Sequence, residues 1–208
     1  FLLESAEDSR QWGRYTFLGY DPAMELTCTD HLLTIRAGGR IQMRVEHPGV
    51  CIRQVLEENR APRLEHLPPF AGGLAGYFSY DYIKYSEPSL NLDAKDEEGF
   101  KDVDLMLFDK VIAFDNFRQK IILIANMHTD SLETEYNKAV LKLNEMEELV
   151  RRGRPKPDEP GRVRSEFRPL FGREEYCEKA EQVKRYIREG DIFQLVLSNR
   201  LEADFEGS

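Results

Sequence analysis

The first half of the chain is a series of short apolar or β-branched runs separated by polar residues. The runs at 24–29, 32–37 and 41–45 are short and contain β-branched or large apolar residues, a pattern typical of strands. The Gly38-Gly39 pair between the last two predicts a hairpin turn. A helix is predicted at 49–59, entered at Pro48, with Val50, Val55 and Leu56 on its apolar face.

Further along the chain, strand-like apolar runs are followed by apolar residues at helical spacing. The runs 105–115 and 120–126 predict a buried hairpin around 116–118. At 131–152 apolar residues recur with helical spacing, and the members of this face are Tyr136, Val140, Leu143 and Met146. A further helix is marked by Tyr176, Ala180, Val183 and Ile187 and ends at Gly190. The run 192–205 predicts a final strand, so the fold class is α+β, mostly antiparallel sheet with flanking helices.

One segment has the composition of a linker. Residues 152–168 contain three prolines, two glycines and dense charge, which predicts an exposed connection and a candidate for disorder. We therefore expect one domain at 1–151 and a second that begins at 169–208. A helix and one strand cannot form a core alone, so this second domain is expected to be truncated.

Composition and charge narrow the class of protein. The 208 residues carry a net charge of −9, without a basic stripe, which argues against a nucleic-acid partner. The apolar runs are too short to cross a membrane. Cys28, Cys51 and Cys177 have neither disulfide nor zinc spacing, and we expect each to behave as a small hydrophobic residue. These features predict a soluble cytoplasmic protein without a metal site of its own.

Three segments carry candidate chemistry. Phe1–Ser5 is an apolar strand ending in Glu4 and Ser5, a pair that can bind the ammonium and backbone of an amino acid; the alternative is a strand end whose Ser caps a turn. The second, 68–81, has glycines in an apolar run, which predicts a strand closely approached by another backbone. It lacks the spacing of a phosphate-binding loop. In the third segment Gln194 lies among apolar residues and needs hydrogen-bond partners.

The aromatic residues of the glycine-rich segment, Tyr77, Phe78 and Tyr80, are predicted to lie in the core.

Taken together and in order, four segments resemble the large subunit (component I) of anthranilate synthase, one of the chorismate-utilising enzymes. The matching segments are FLLESAEDSRQWGRYTFLGYDP, PPFAGGLAGYFSYDYIKY, LMLFDKVIAFDNFRQKIILIAN and EYCEKAEQVKRYIREGDIFQLVLSNRLEADF. The resemblance covers nearly the whole chain, which is less than half of a usual member. It implies the N-terminal half of that subunit's sandwich fold.

The resemblance also implies an activity for the full-length protein. Members convert chorismate and ammonia to anthranilate and pyruvate with Mg²⁺, and a glutamine amidotransferase subunit supplies the ammonia. Their metal-binding glutamates and chorismate-binding segments lie later in the sequence, so this piece is expected to lack catalytic residues and to bind no metal alone.

A regulatory role is implied for the start of the chain. The Leu-Leu-Glu-Ser motif of the family helps to form the feedback site for L-tryptophan and matches Leu2 to Ser5, so Leu3, Glu4, Ser5 and Tyr15 are the expected tryptophan-binding residues. Arg14 lies beside Tyr15 on the strand that is expected to follow this motif.

Gln194 is implied as part of an active-site wall. Relatives that add water to chorismate have Lys at its position, where a Lys can act as general base; Gln fits the aminating branch. Two alternatives stay open: the large subunit of aminodeoxychorismate synthase, and a stand-alone amino-acid-sensing module.

Overall fold

The structure, a computed structural model, describes residues 1–5, 13–90, 92, 96, 98–155 and 160–207. It divides the chain into two compact units, Phe1–Gly153 and Arg154–Ser208. In the described part of the chain, no helix has the length and apolar character needed to span a bilayer.

The first unit combines short strands with two α-helices, as far as its described residues go. In chain order its elements are β1 (Leu2–Leu3), β2 (Tyr15–Leu18), β3 (Met24–Thr29), β4 (Leu32–Arg36), β5 (Arg40–Arg44), α1 (Pro48–Glu58), β6 (Gly73–Phe78), a 3₁₀ helix (Tyr80–Tyr85), β7 (Val103–Phe108), β8 (Lys110–Asp115), β9 (Lys120–Ala125) and α2 (Leu132–Arg152).

These strands form two antiparallel sheets. Over the described residues, the four-stranded sheet has the order β1-β2-β8-β9 and the five-stranded sheet has the order β5-β4-β3-β7-β6. The predicted α+β class with antiparallel sheets and flanking helices is confirmed.

Helix α1 confirms its predicted position and, at Val55, part of its predicted apolar face. Ile52 and Val55 are buried against the five-stranded sheet, whereas Val50 and Leu56 are about half exposed. Helix α2 packs against β9 and buries Ala139 and Met146. Tyr136, predicted on its apolar face, is exposed. Both errors arise because apolar spacing identifies a helix more reliably than the side that its neighbours cover.

The run 105–115, predicted as one strand, is two strands in different sheets. The chain leaves the five-stranded sheet after Phe108 and enters the four-stranded sheet at Lys110. The carbonyl of Asp109 between them accepts hydrogen bonds from the backbone N (2.7 Å) and Nδ2 (3.2 Å) of Asn126. The predicted hairpin around 116–118 is confirmed, since β8 pairs with β9.

The glycine-rich segment confirms the expected close approach. Gly76 on β6 has φ +152°, and a Cβ there would lie 1.9 Å from the carbonyl oxygen of Asp104 on the neighbouring β7. The expectation that the aromatic residues of this segment are core was wrong. Tyr77 and Phe78 are 40% and 51% exposed and Tyr80 is 93% exposed, because the described part of this unit places no further layer over them.

The second unit contains one long helix and short strand pairs among its described residues. Its elements are β10 (Arg162–Val163), β11 (Arg168–Pro169), α3 (Arg173–Glu189), β12 (Leu201–Glu202) and β13 (Phe205–Glu206). Strand β10 pairs with β13 and β11 pairs with β12. Helix α3 ends at Gly190 as predicted, with φ +86° and the Asp191 N–H bonded to the Tyr186 carbonyl.

The predicted linker 152–168 is exposed as expected over its described residues, which include β10 and the start of β11; its role as a linker between domains stays a prediction. One expectation about this unit was wrong. The predicted strand 192–205 is irregular up to Arg200, and Phe193 is 93% exposed. A strand needs a neighbour for its backbone groups, and no described strand pairs with residues 192–200.

The cysteines divide by environment. All three are free: Cys28 is buried, Cys51 is half-buried and Cys177 is exposed on α3. Only Cys177 departs clearly from the expected small hydrophobic role.

Candidate functional site

The candidate site lies at the edge of the four-stranded sheet, where β1 is the outer strand. Leu2 pairs with Leu18 and Leu3 pairs with Phe17. Directly opposed residues of an antiparallel pair have their side chains on the same face, and so do residues two apart. Leu3, Phe17 and Tyr15 therefore share one face of the sheet.

An aromatic cluster supports this face. Phe17 is buried with Val111 and Ala113, and its ring meets that of Phe70 edge-on at 5.7 Å. The ring of Phe1 lies over Gly19 and contacts Phe70 and Phe108 edge-on, at 5.8 and 4.6 Å between centroids. Edge-on geometry is favourable for aromatic pairs, so the sheet beneath the site is a packed support.

The other end of the same face is open. Leu3 is 51% exposed, and Glu4 and Ser5 leave the strand as exposed residues. The pairing of β1 with β2 ends at Leu3, and Glu4 and Ser5 follow directly in the chain. The structure thus places Leu3 and Tyr15 on one face of the sheet, and the assignment of Glu4 and Ser5 to the same site stays a prediction. Trp12, part of the motif, lies outside the described residues.

Arg14 and Asp115 form an ion pair beside Tyr15. The Nε and Nη2 of Arg14 donate to Oδ1 and Oδ2 of Asp115 at 3.1 and 2.7 Å. Asp115 is directly opposite Tyr15 on β8 and also accepts the N–H of Arg118 at 3.0 Å. The hydrogen bond from Arg14 is the main reason that the pKa of Asp115 falls to about 2, and the Arg118 N–H adds to it.

Sequence reasoning missed Asp115. Its position at the start of the turn Asp-Asn-Phe-Arg is a turn signal, because Asp commonly begins such turns by accepting a backbone N–H. Nothing in the sequence shows that the same carboxylate pairs with Arg14, which is 101 residues away.

A second buried carboxylate, Asp102, lies directly before β7 of the five-stranded sheet. It accepts hydrogen bonds from the Tyr85 hydroxyl (2.6 Å) and the Asp30 N–H (2.9 Å), and Lys84 Nζ lies 2.9 Å away. Burial raises the pKa of Asp102, but the bonds from Tyr85 and Lys84 outweigh it and hold the pKa below its usual value. Because several donors already bind the Asp102 carboxylate, we assign it a structural role.

The second unit places Gln194 on an exposed irregular segment. Hydrogen bonds tie the residues after it to the unit: Tyr176 Oη donates to the Leu197 carbonyl at 2.9 Å, and Asn199 Nδ2 donates to the Phe171 carbonyl at 2.9 Å.

The described residues do not provide a metal centre. Across them, no group of three or more His, Cys, Asp or Glu side chains converges as metal ligands would. Magnesium therefore does not fit the residues described here, and we assign no step of chemistry through it to this chain.

Comparisons with known proteins give consistent results. The model of the chorismate binding enzyme family matches residues 1–208. The chain is 35% identical to anthranilate synthase component 1 of Acinetobacter calcoaceticus and 33% identical to that of Pseudomonas aeruginosa; both matches cover the whole chain, but 42% and 44% of those relatives. A crystal structure of anthranilate synthase component I from Streptococcus pneumoniae superposes with a TM-score of 0.71 at 26% identity, over all of this chain and 45% of that one.

The chain therefore spans less than half the length of the relatives that it matches. Because a single family model extends over all of its residues, the chain belongs to the chorismate binding enzyme family.

Proposed function

We propose that the chain is the N-terminal, tryptophan-sensing part of an anthranilate synthase component I. The longer protein would convert chorismate and ammonia to anthranilate and pyruvate. The observation that carries this proposal is the match of the whole chain to the first 40% or so of relatives named anthranilate synthase component 1. The open sheet edge beside Tyr15 supports the tryptophan-sensing part of the proposal.

The chemistry of this edge suits an aromatic amino acid. The carboxylate of Glu4 can accept hydrogen bonds from the ligand's ammonium, and the Ser5 hydroxyl can bond its carboxylate. Leu3, half exposed, and the ring of Tyr15 offer an apolar surface for an indole. These residues would form part of the pocket, with the remainder supplied elsewhere in the full-length protein.

Inhibition would follow from a shift between two states. Tryptophan can lower the affinity for chorismate only if it binds more tightly to a state that binds chorismate poorly. The edge strand is a suitable place for such a difference, since Glu4 and Ser5 are exposed next to a rigid aromatic support.

The remaining parts of the proposal concern the full-length protein. They are the catalytic residues beyond this chain, the Mg²⁺ that they hold, a glutamine amidotransferase subunit as the source of ammonia, and work in the cytoplasm. Gln194 would contribute to the active-site wall, where a neutral amide is compatible with ammonia as nucleophile.

The test uses the full-length gene product with chorismate, Mg²⁺ and an ammonium salt, followed by anthranilate fluorescence with and without L-tryptophan. A rising signal that tryptophan suppresses is expected. Consumption of chorismate without this fluorescence would instead indicate aminodeoxychorismate synthesis. An anthranilate signal that tryptophan leaves unchanged would contradict the sensing role, while the enzyme assignment would stand.

A further inference from the structure

Arg14 makes cation–π contacts with aromatic rings. Its guanidinium carbon lies 4.8 Å from the centre of the Tyr15 ring and 5.9 Å from that of Phe117. On the sheet, the Tyr15 ring stacks with that of Phe17, at 5.8 Å and 27° between planes. Tyr15 therefore contacts a cation as well as a buried aromatic ring.

The position of this cation is fixed by Asp115. The carboxylate binds Arg14 through two hydrogen bonds, and its side chain is only 2% exposed. Asp115 is itself held by the Arg118 N–H in the hairpin turn and by its place opposite Tyr15. A two-point bond to a fixed carboxylate allows the planar guanidinium little freedom.

We propose that Arg14, held by Asp115, is a positioning residue that fixes the ring of Tyr15 at the wall of the tryptophan site. This inference rests on the proposed function. In this arrangement the Arg14 guanidinium contacts Tyr15 and not the ligand. Arg14 strengthens tryptophan binding because the Tyr15 ring is already ordered before the ligand binds.

A direct role for Arg14 is the competing interpretation. Arginine has five N–H donors, of which Asp115 takes two, so the others could bind the ligand's carboxylate. The two roles differ in what Asp115→Asn does. If Arg14 positions Tyr15, loss of the charged partner weakens tryptophan binding. If Arg14 binds the ligand, release from Asp115 leaves binding as strong or makes it stronger.

The experiment measures L-tryptophan affinity of the full-length gene product by calorimetry, with thermal unfolding recorded for each variant. We expect Arg14→Met and Asp115→Asn each to weaken binding by roughly three- to tenfold, the range that one cation–π contact supplies. Arg14→Lys should fall between these variants and the wild type, because Lys keeps the charge but not the planar two-point bond.

Lys84→Met is the matched control. Lys84 is a partly exposed cation bound to the buried Asp102, as Arg14 is to Asp115, but it lies on the 3₁₀ helix beside the other sheet. It should lower the unfolding temperature while leaving tryptophan affinity unchanged. Unaltered affinity in Asp115→Asn together with a loss in Arg14→Met would overturn the positioning role.

A second measurement separates this inference from the proposed function. Fluorotyrosine placed at position 15 reports the ring's surroundings by ¹⁹F NMR without any ligand. Arg14→Met and Asp115→Asn should both shift or broaden this resonance, and Lys84→Met should not. An unchanged resonance in the first two variants contradicts the inference even where tryptophan binds. If the wild type binds no tryptophan, the sensing role fails, and the resonance still decides whether Arg14 positions Tyr15.

Discussion

Two buried carboxylates of the first unit, Asp102 directly before β7 and Asp115 at the end of β8, each pair with a partly exposed cation, but the two ion pairs have different surroundings. Directly before β7 of the five-stranded sheet, Asp102 is surrounded by donors from Tyr85, Lys84 and Asp30, and Tyr85 belongs to the core of that sheet. In the four-stranded sheet Asp115 holds Arg14 against a ring next to an open edge. Similar ion pairs thus stabilise a core in one sheet and order a candidate binding surface in the other.

The largest effect is expected where two backbones touch in the five-stranded sheet. Gly76→Ala would place a Cβ 1.9 Å from the Asp104 carbonyl oxygen at φ +152°. Because neither backbone can move alone, we expect the free energy of unfolding to fall by about 4 kcal/mol. Urea denaturation of the wild type and the variant measures this. Gly39→Ala, with nothing within 4 Å of its Cβ, is the control, and equal losses in both would refute the explanation.

Asp102→Asn should have the next largest effect. The substitution leaves Lys84 without its buried partner and weakens the bond from Tyr85, so we expect a loss of about 3 kcal/mol in unfolding free energy. Asp104→Asn is the matched control two residues away, because its pair with Lys101 is more exposed. A loss in Asp102→Asn no larger than in this control would show that the buried network contributes little.

Gly19→Ala should have a smaller effect in the four-stranded sheet. Its Cβ would lie 2.1 Å from a carbon of the Phe1 ring, and a side chain can shift where a backbone cannot. We expect a loss of about 1 kcal/mol, read from the same denaturation curves. A loss equal to that of Gly76→Ala would mean that the aromatic support of this sheet is as inflexible as a backbone contact.

The smallest effect is a dependence on pH. The pKa of Asp115 is lowered to about 2, chiefly by its hydrogen bond with Arg14, from about 4 in an unfolded chain. Its stabilisation is therefore complete above about pH 4 and is lost as the pH falls towards 2. The unfolding free energies of the wild type and Asp115→Asn, measured from pH 5 to 2.5, should converge as the pH falls. A constant difference would show that the charge of Asp115 is not responsible.

Local pattern predicted much of the fold. Strand β3 occupies the predicted residues 24–29, and Gly190 ends α3 as expected, because turn residues and periodicity act over a few positions. The split of 105–115 at Asp109 was missed, since both halves are apolar and only the sheet that each half joins distinguishes them. The exposure of Phe193 was missed for a related reason: an apolar run becomes a strand only when a neighbour pairs with it.

The candidate site was predicted in part. Leu3, Glu4, Ser5 and Tyr15 came from the resemblance, and the antiparallel register of β1 and β2 places Leu3 and Tyr15 on one face of the sheet. The role of Asp115 could not be predicted from the resemblance. Its partner is distant in sequence, and an Asp at the start of a turn is common for reasons that have nothing to do with a site.

The central claim is that the edge of the four-stranded sheet senses tryptophan. Its most direct test is the inhibition of anthranilate formation by L-tryptophan in the full-length gene product, for the wild type, Ser5→Arg and Ser86→Arg. Ser86 is an exposed serine after the 3₁₀ helix beside the five-stranded sheet, so it serves as control. We expect Ser5→Arg to keep its activity and to need at least about tenfold more tryptophan for half inhibition, with Ser86→Arg like the wild type. Unchanged inhibition in an active Ser5→Arg enzyme would contradict the claim.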